Sequence, residues 1–381
     1  MIYLDHNAST PVRPEVADAM HAALQGLGAN PSSAHREGQR VRAAIESARD
    51  QVAHFVHARA AEVIFVSGGT EGDHLALMGA AWARRAAGQR VAVAAIEHHA
   101  VHGAADVLHE LGWSHVELPC EPTGITLPTA IDALPADTTV VSLMLANNET
   151  GVLQPVAALT ERAHARGMLV HCDAVQAAGK VSVDFDALAV DFLVLSGHKF
   201  GGPKGAAAVV ARTGAPLHPL FRGSGHERGR RGGTENVSGI VGLGLACELA
   251  AASLATESTR MLALRERFER GLRLIAPDTH VHGERSPRLP NTVNASFPGA
   301  RSDHMLMALD ARGVMVSAGA ACASGAVEPS PVLRAMAVPH ELAISALRFS
   351  FGRDTTQAQL DEALAIIAQA LQAARRVTAP A

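Results

Sequence analysis

Through the middle of the chain, short runs of Val, Ile, Leu and Ala alternate with stretches of helical period, and this order restricts the fold more than any other property of the sequence. Glu62 to Val66 reads as a strand and Thr70 to Ala87 as a helix. Val91 to Ile96 is a strand, followed by a helix from Ala100 to Leu111. Thr139 to Leu145 is a strand, followed by a helix from Val156 to Arg166. Met168 to His171 and Phe192 to Leu195 are strands, and Gly205 to Ala211 continues the sheet. A βαβα order of this kind implies an α/β fold with a mostly parallel, doubly wound sheet covered by helices on both faces. Aromatic residues are only 3% of the chain. The core must therefore be built from small aliphatic residues, which suits buried parallel strands.

The pattern changes near Thr256. A helix from Arg260 to Leu274 is followed by separated strands near Thr292 to Phe297 and Val314 to Val316. A further apolar run lies at Ala346 to Phe351, and a last helix at Gln357 to Arg375. Pro277, Gly283, Pro287 and Pro290 mark a loop between them. The expected organisation is a large domain over residues 15–255 and a smaller α+β domain made of 1–14 and 256–381. A chain of 381 residues, 48% of them hydrophobic, has enough material for both. Val237 to Thr256 is the most apolar long stretch. Glu248 interrupts it and it is rich in Ala and Gly, so it reads as a buried helix and not as a membrane span.

A formal net charge of −4 argues against a nucleic-acid binder, and His226, Arg228, Arg230 and Arg231 read as a site-completing loop rather than a nucleic-acid patch. None of Cys120, Cys172, Cys247 and Cys322 forms a Cys-x-x-Cys pair, so a structural metal site is not expected. So few cysteines suit a reducing cytosol. The start, Met1-Ile2-Tyr3-Leu4-Asp5, has neither a basic nor an apolar leader region, and a cytoplasmic location is the expectation.

In an open α/β sheet, ligands sit beyond the carboxyl ends of the strands. The strands above deliver polar residues to that edge one after another: Ser67-Gly68-Gly69-Thr70-Glu71, Glu97-His98-His99, Asn147-Asn148-Glu149, Asp173 with Gln176, and Ser196-Gly197-His198-Lys199. Each also has an ordinary reading, since Thr70 or Asp173 can be a helix cap, His98 a loop histidine and Lys199 a surface lysine. Together they meet the needs of pyridoxal 5'-phosphate (PLP). The Gly68-Gly69-Thr70 turn lets backbone N–H groups approach a phosphate. Asp173 can keep a pyridine nitrogen protonated, so that the ring withdraws electrons. Gln176 can reach the ring hydroxyl. His98 can stack on the ring and move protons. Lys199 can hold the cofactor covalently.

These residues resemble the cysteine desulfurases, within the class V aminotransferase family of fold-type I PLP enzymes, and the match runs nearly end to end. It includes Tyr3-Leu4-Asp5-His6-Asn7-Ala8, Asn30-Pro31-Ser32-Ser33, Asp173-Ala174-Val175-Gln176, Gly202-Pro203-Lys204-Gly205, Glu227 to Asn236, Glu328-Pro329-Ser330, Leu333-Arg334-Ala335 and Arg348-Phe349-Ser350. The resemblance implies that Lys199 carries PLP, that His98 stacks on it, and that Asp173 and Gln176 bind its ring. It implies phosphate contacts from Gly69, Thr70, Ser196 and His198. Thr234 would reach the phosphate held by a partner subunit, which implies a homodimer. Asn148 would contact ring and substrate, and Arg348 would clamp the substrate carboxylate. Gly69, Gly72, His74, Ala318 and Pro331 depart from the residues usual in the family, and none removes a group the chemistry needs.

The segment from Ser317 to Ala326 consists of small residues around Cys322. It is expected to be a mobile arm that presents a thiol, with a structural cysteine as the plainer alternative. The expected reaction takes L-cysteine to L-alanine, leaving a persulfide on Cys322 for an acceptor protein such as an iron–sulfur scaffold. Transient contact of Cys322 with an iron–sulfur cluster stays open. The alternatives are a selenocysteine lyase, another class V aminotransferase, or a non-catalytic sulfur-trafficking scaffold.

Overall fold

The computed structural model describes the backbone of residues 1–319, 322–323 and 326–378, and the side chains of 1–319 and 328–376. A short strand β1 (Ile2–Tyr3) leads to helices α1 (Pro14–Gly26) and α2 (Arg36–Phe55). The alternating region then runs β2 (Val63–Val66), α3 (Gly69–Ala83), β3 (Arg90–Ala94), α4 (His99–Glu110), β4 (Ser114–Leu118), β5 (Thr138–Ser142), α5 (Val156–Ala165), β6 (Leu169–Asp173), α6 (Phe185–Leu188), β7 (Phe192–Ser196) and β8 (Ala207–Ala211). These strands form one seven-stranded sheet in the order β2-β8-β7-β6-β5-β3-β4. The expected strands and helices stand within a few residues of their places. Sequence reading left α1, α2 and the edge strand β4 without assignment. Ser114, His115 and Glu117 leave β4 without the apolar run that marked the other strands.

Pairing is parallel throughout the β4-β3-β5-β6-β7 block, whereas β8 runs antiparallel between β7 and β2. Chain length explains the exception. Only Gly197 to Ala206 separates β7 from β8, and a parallel return needs a crossover of about a dozen residues or more. The connection turns back through Gly201 and Gly205, with φ of 90° and 76°, values that glycine adopts at little cost. The strands β5 and β7 are buried along their whole length and β6 beyond its first residue, as the strands of a covered parallel sheet must be. From β3 the chain winds outward to β4, then starts again on the other side of β3 with β5. The crevice at the carboxyl ends of β3 and β5 is therefore the topological switch point of the sheet.

The second half begins with α7 (Val237–Ile275), then β9 (His280–Val281), β10 (Thr292–Ser296), α8 (Ser302–Asp310), β11 (Val314–Met315), β12 (Cys322–Ala323), β13 (Ala326–Val327), α9 (Pro331–Ala335), α10 (His340–Ala343), β14 (Ala346–Ser350) and α11 (Gln357–Thr378). The two helices expected on either side of Thr256 are one helix of 39 residues. Its first half buries Ile240, Leu243, Ala246 and Cys247 in the core under the large sheet. Its second half buries Leu264, Phe268 and Leu272 in a separate core with Phe349, Phe351, Leu360 and Ile367. Ile2 and Leu4 join this second core, because β1 pairs with β11 and Asp5 bridges to Ser350. The N-terminal residues thus travel from the second core to the edge of the large sheet and pass over its switch point.

Candidate functional site

Every polar cluster expected at the strand ends stands at the carboxyl edge of the sheet. Lys199 ends a single helical turn, Gly197–Lys199, that follows β7. Its Nζ donates to the backbone carbonyls of Asn7 at 2.7 Å and Ala8 at 3.0 Å. Among the described residues no carboxylate pairs with it directly. Burial and the positive charge of Arg348 lower its pKa to about 8, against the opposing pull of Asp173 and Asp5. A lysine so placed is neutral often enough near physiological pH to be a nucleophile. Lys204, in the same loop, is exposed and carries none of this environment.

Asp173 ends β6. Its Oδ1 accepts the Val175 N–H at 2.8 Å. Burial pushes its pKa up to about 6, while that hydrogen bond and Lys199 oppose the rise. A buried carboxylate of this kind gains most from a cationic nitrogen placed against it. The Gln176 side chain donates from Nε2 to the Asn7 carbonyl at 2.8 Å, and its Oε1 accepts from Lys180 Nζ at 2.6 Å. The Asn7 carbonyl can only accept, so it fixes the amide with Nε2 turned toward it.

His98 is the N-cap of α4, and its Nδ1 accepts the Ala100 N–H at 3.1 Å. The ring is open at the mouth of the cleft. Surrounding protein and the charge of Lys199 still lower its pKa to about 4. The ring is therefore neutral at pH 7. With Nδ1 engaged as acceptor, its proton sits on Nε2, facing the cleft.

The start of α3 forms a corner with room for an anion. Its cap is Gly68, which supplies no side-chain hydrogen bond, so Thr70 is not the N-cap and the first-turn N–H groups keep room for an external acceptor. Gly69 lies close enough to Ser196 that a Cβ added there would stand 3.8 Å from the Ser196 Cβ. His198 Nδ1 lies 3.4 Å from Ser9 Oγ. The Arg231 guanidinium donates from Nε to Glu71 Oε1 at 2.7 Å, which docks the loop carrying Thr234 beside this corner. Thr234 itself is exposed.

On the opposite wall, Arg348 projects from β14. Its Nη2 donates to Asp5 Oδ1 at 2.8 Å and its Nη1 to the Asn148 carbonyl at 3.1 Å. Its Nε and the Asn148 Oδ1 are buried and have no hydrogen-bond partner among the described residues. Unmet polar atoms in one cleft are unusual in a folded protein and mark a place where a ligand completes the bonding. The backbone of Cys322 lies in β12, paired with Val327. The Cys322 side chain, and with it the expected reach of the thiol, lies outside the described residues, as do residues 320–321 and 324–325. The flanks of the segment are tied at the cleft. Ser317 bridges to Arg348, and Ser330 Oγ donates to Glu149 Oε2 at 2.5 Å. Among the described residues no group of His, Cys, Asp and Glu side chains is arranged to hold a metal ion.

Sequence reading assigned no role to Asn7, Asp5, Lys180 or Glu149. Asn7 is the hub of the site: its Nδ2 donates to Thr292 Oγ1 at 2.9 Å and to the Asn148 carbonyl at 3.2 Å, and its carbonyl takes both Lys199 and Gln176. No local signal marks it, because its partners lie more than a hundred residues away. Lys180 had a faint signal in its spacing of four from Gln176.

The fit to a flat, anionic ring compound stands on these observations: a buried acid, a neutral imidazole, a lysine of low pKa and an uncapped helix start around one cleft. The model of the class-V aminotransferases matches residues 2–363. A cysteine desulfurase IscS of Dictyoglomus turgidum is 41% identical over 378 residues, covering 99% of this chain and 96% of that protein. A protein of the same name from Methanosarcina thermophila is also 41% identical, with 99% and 93% covered. Among solved structures, a NifS-like protein superposes with a TM-score of 0.90 at 33% identity, covering 97% of this chain and 99% of the other.

Proposed function

Since the chain belongs to the class-V aminotransferase family, we propose that it is a PLP-dependent cysteine desulfurase. The observation that carries this is Lys199, a lysine of lowered pKa with no paired carboxylate among the described residues, set between Asp173 and Arg348 beyond the carboxyl end of β7. When bound, PLP supplies an electron-withdrawing ring that stabilises negative charge at the α-carbon of an amino acid.

This chain's residues do the rest. Lys199 Nζ holds the cofactor and, when free, takes and returns a proton at the substrate α-carbon. Asp173 would hold the ring nitrogen, and Gln176 Nε2 would be the donor for the ring hydroxyl. The first turn of α3, with Gly69 and Thr70, and the side chains of Ser196 and His198 hold the phosphate. Arg348, already oriented by Asp5 and Asn148, binds the substrate carboxylate, and Nε supplies a donor that protein leaves unused. His98 would cover the ring and accept or return protons around the substrate thiol. Cys322 takes the sulfur of L-cysteine as a persulfide, leaving alanine, and passes it to a protein thiol, the acceptor class being an iron–sulfur scaffold or a thiolation partner. Thr234, exposed beside the phosphate corner, serves the partner subunit of a homodimer. A reducing, cytoplasmic setting suits the free thiols of Cys120, Cys172 and Cys247.

The test is to load the protein with PLP, add isotopically labelled L-cysteine, and measure alanine, sulfide and protein-bound sulfur by mass spectrometry. Alanine should appear with persulfide on Cys322. Cys322→Ser should keep the yellow cofactor band and lose sulfur transfer. Undiminished sulfide release by that variant would remove Cys322 from its role.

A further inference from the structure

Behind the side chains that face the cleft lies a row of polar groups that binding and substrate chemistry leave unused. His171 and Asp173 are two apart on β6 and so share one face of the sheet. Ser142 on β5 stands in register with His171. Asp73 comes down from α3, and Glu97 follows β3 immediately before His98. Ser142 Oγ lies 2.8 Å from Glu97 Oε1 and 2.9 Å from His171 Nδ1. His171 Nε2 faces Asp73 Oδ1 at 3.4 Å, and among the described residues neither atom makes a hydrogen bond, so a proton on one of the two is what would join them. Relative exposures are 0% for Ser142 and His171, 1% for Asp73 and 4% for Glu97.

Hydrogen counting limits what this row can be. Ser142 has one hydroxyl hydrogen. If it donates to Glu97, His171 must donate from Nδ1, its bare Nε2 faces Asp73, and Asp73 must carry a proton. If it donates to His171 Nδ1, Glu97 must be the protonated acid, and the Nε2–H faces an Asp73 carboxylate. The two arrangements hold the same number of protons. They interconvert when a proton leaves Asp73 for His171 Nε2, the Nδ1 proton moves to Ser142 Oγ, and the Ser142 proton moves to Glu97 Oε1. No atom is gained or lost, and Asp73 ends charged where Glu97 was.

We propose that Asp73, His171, Ser142 and Glu97 form a buried proton relay that keeps one proton shared between the two carboxyls, and that these four are positioning residues for Asp173, setting the charge behind the cofactor ring. The inference rests on the PLP reading above. Its electrostatics agree with the geometry. Burial and the Asp173 charge raise Asp73 and Glu97, the latter to about 8, while burial lowers His171 to about 3 and leaves it neutral. The remaining titratable neighbours of the row are Asp173, Lys199, neutral His98, and Cys172, whose thiol burial and the three acids hold protonated. Three ionised carboxylates in this buried space would repel strongly. One shared proton leaves Asp173 free to stay ionised, and lets the companion charge move along the row as the ring's charge changes.

The PLP-loaded protein with 15N-labelled histidine decides this by long-range 1H–15N spectra, with His171 assigned through its loss in His171→Asn. In Glu97→Gln the lone remaining acid, Asp73, ionises, and His171 should carry its proton on Nε2. In Asp73→Asn it should carry the proton on Nδ1, directed to Ser142 and an ionised Glu97. The same tautomer in both variants overturns the relay. Should either acid variant fail to fold, Ser142→Ala removes one oxygen and cuts the row while both acids remain. It should move the midpoint of the cofactor band's pH titration by about half a unit or more. An unmoved midpoint also overturns the proposal. A wild-type chain that binds PLP with no visible band sinks the cofactor reading instead, a result separable from either relay outcome.

Discussion

Lys199 shows how far residue identity alone carries and where it stops. The Ser-Gly-His-Lys run singled it out from Lys204, but its reactivity comes from burial and from Arg348, which reaches it from the other end of the chain. A lysine with pKa near 8 is half neutral there. The attacking form grows as pH rises through that value, not through the ordinary 10.5. The rate at which apoprotein regains the yellow band with added PLP should therefore climb between about pH 7 and pH 9 and level off above. A rise continuing to pH 10 or beyond would contradict the burial argument. Arg348 is the second residue of this kind. Its planar fork is held by Asp5 and Asn148, and lysine offers no equivalent. Arg348→Lys should lower kcat/KM for L-cysteine by about 100-fold, equal to about 2.7 kcal/mol, with most of the loss in KM. A steady-state titration with L-cysteine checks the split.

Among the elements, α3 and β7 are pressed together at a residue that looked like a mere departure from the family pattern. A Cβ on Gly72 would stand 2.7 Å from Val194 Cγ1 and 3.3 Å from Val209 Cγ2. The missing side chain lets the N-terminal end of α3 lie directly on the strand that leads to Lys199. Gly72→Ser, which restores the more usual residue, should destabilise the fold by about 1–3 kcal/mol through overpacking, read as a lower urea midpoint at unchanged slope. PLP affinity should fall with it, because the helix start shifts away from Ser196. The neighbouring departure, His74, is benign: its Nδ1 meets the Thr70 carbonyl at 2.9 Å, a local contact within the helix. The element that sequence reading divided wrongly, α7, has a similar lesson. A change of apolar period near Thr256 reflects a change of neighbour, from one core to the other, and not a break in the helix.

For the molecule as a whole, the arrangement to test is the pairing of two chains. The loop from His226 to Glu235 is anchored within one chain: Glu227 takes a two-point ion pair from Arg49 at 2.8 and 2.9 Å, and Arg231 donates to Glu71. Yet Thr234 on that loop is exposed. Sedimentation of the PLP-loaded protein should give twice the chain mass of 39.6 kDa. Thr234→Ala should keep that mass and release PLP about tenfold more readily on dialysis, a loss of about 1.4 kcal/mol. A monomer with full cofactor retention would remove Thr234 from the phosphate site.

What the sequence determined by itself was the alternating sheet and the order of its polar strand ends. Apolar period and turn residues are local, and each strand of a parallel sheet deposits its following residue on the same edge, so Thr70, His98, Asn148, Asp173 and Lys199 could be placed together from one dimension. Tertiary structure alone decided the antiparallel turn of β8, the single long α7, and the work of Asn7, Asp5, Lys180 and the buried row behind Asp173. Those depend on contacts between segments distant in sequence, on burial that removes water from a charge, and on which hydrogen atoms a closed set of donors and acceptors can hold. None of these is a property of a stretch of chain taken alone.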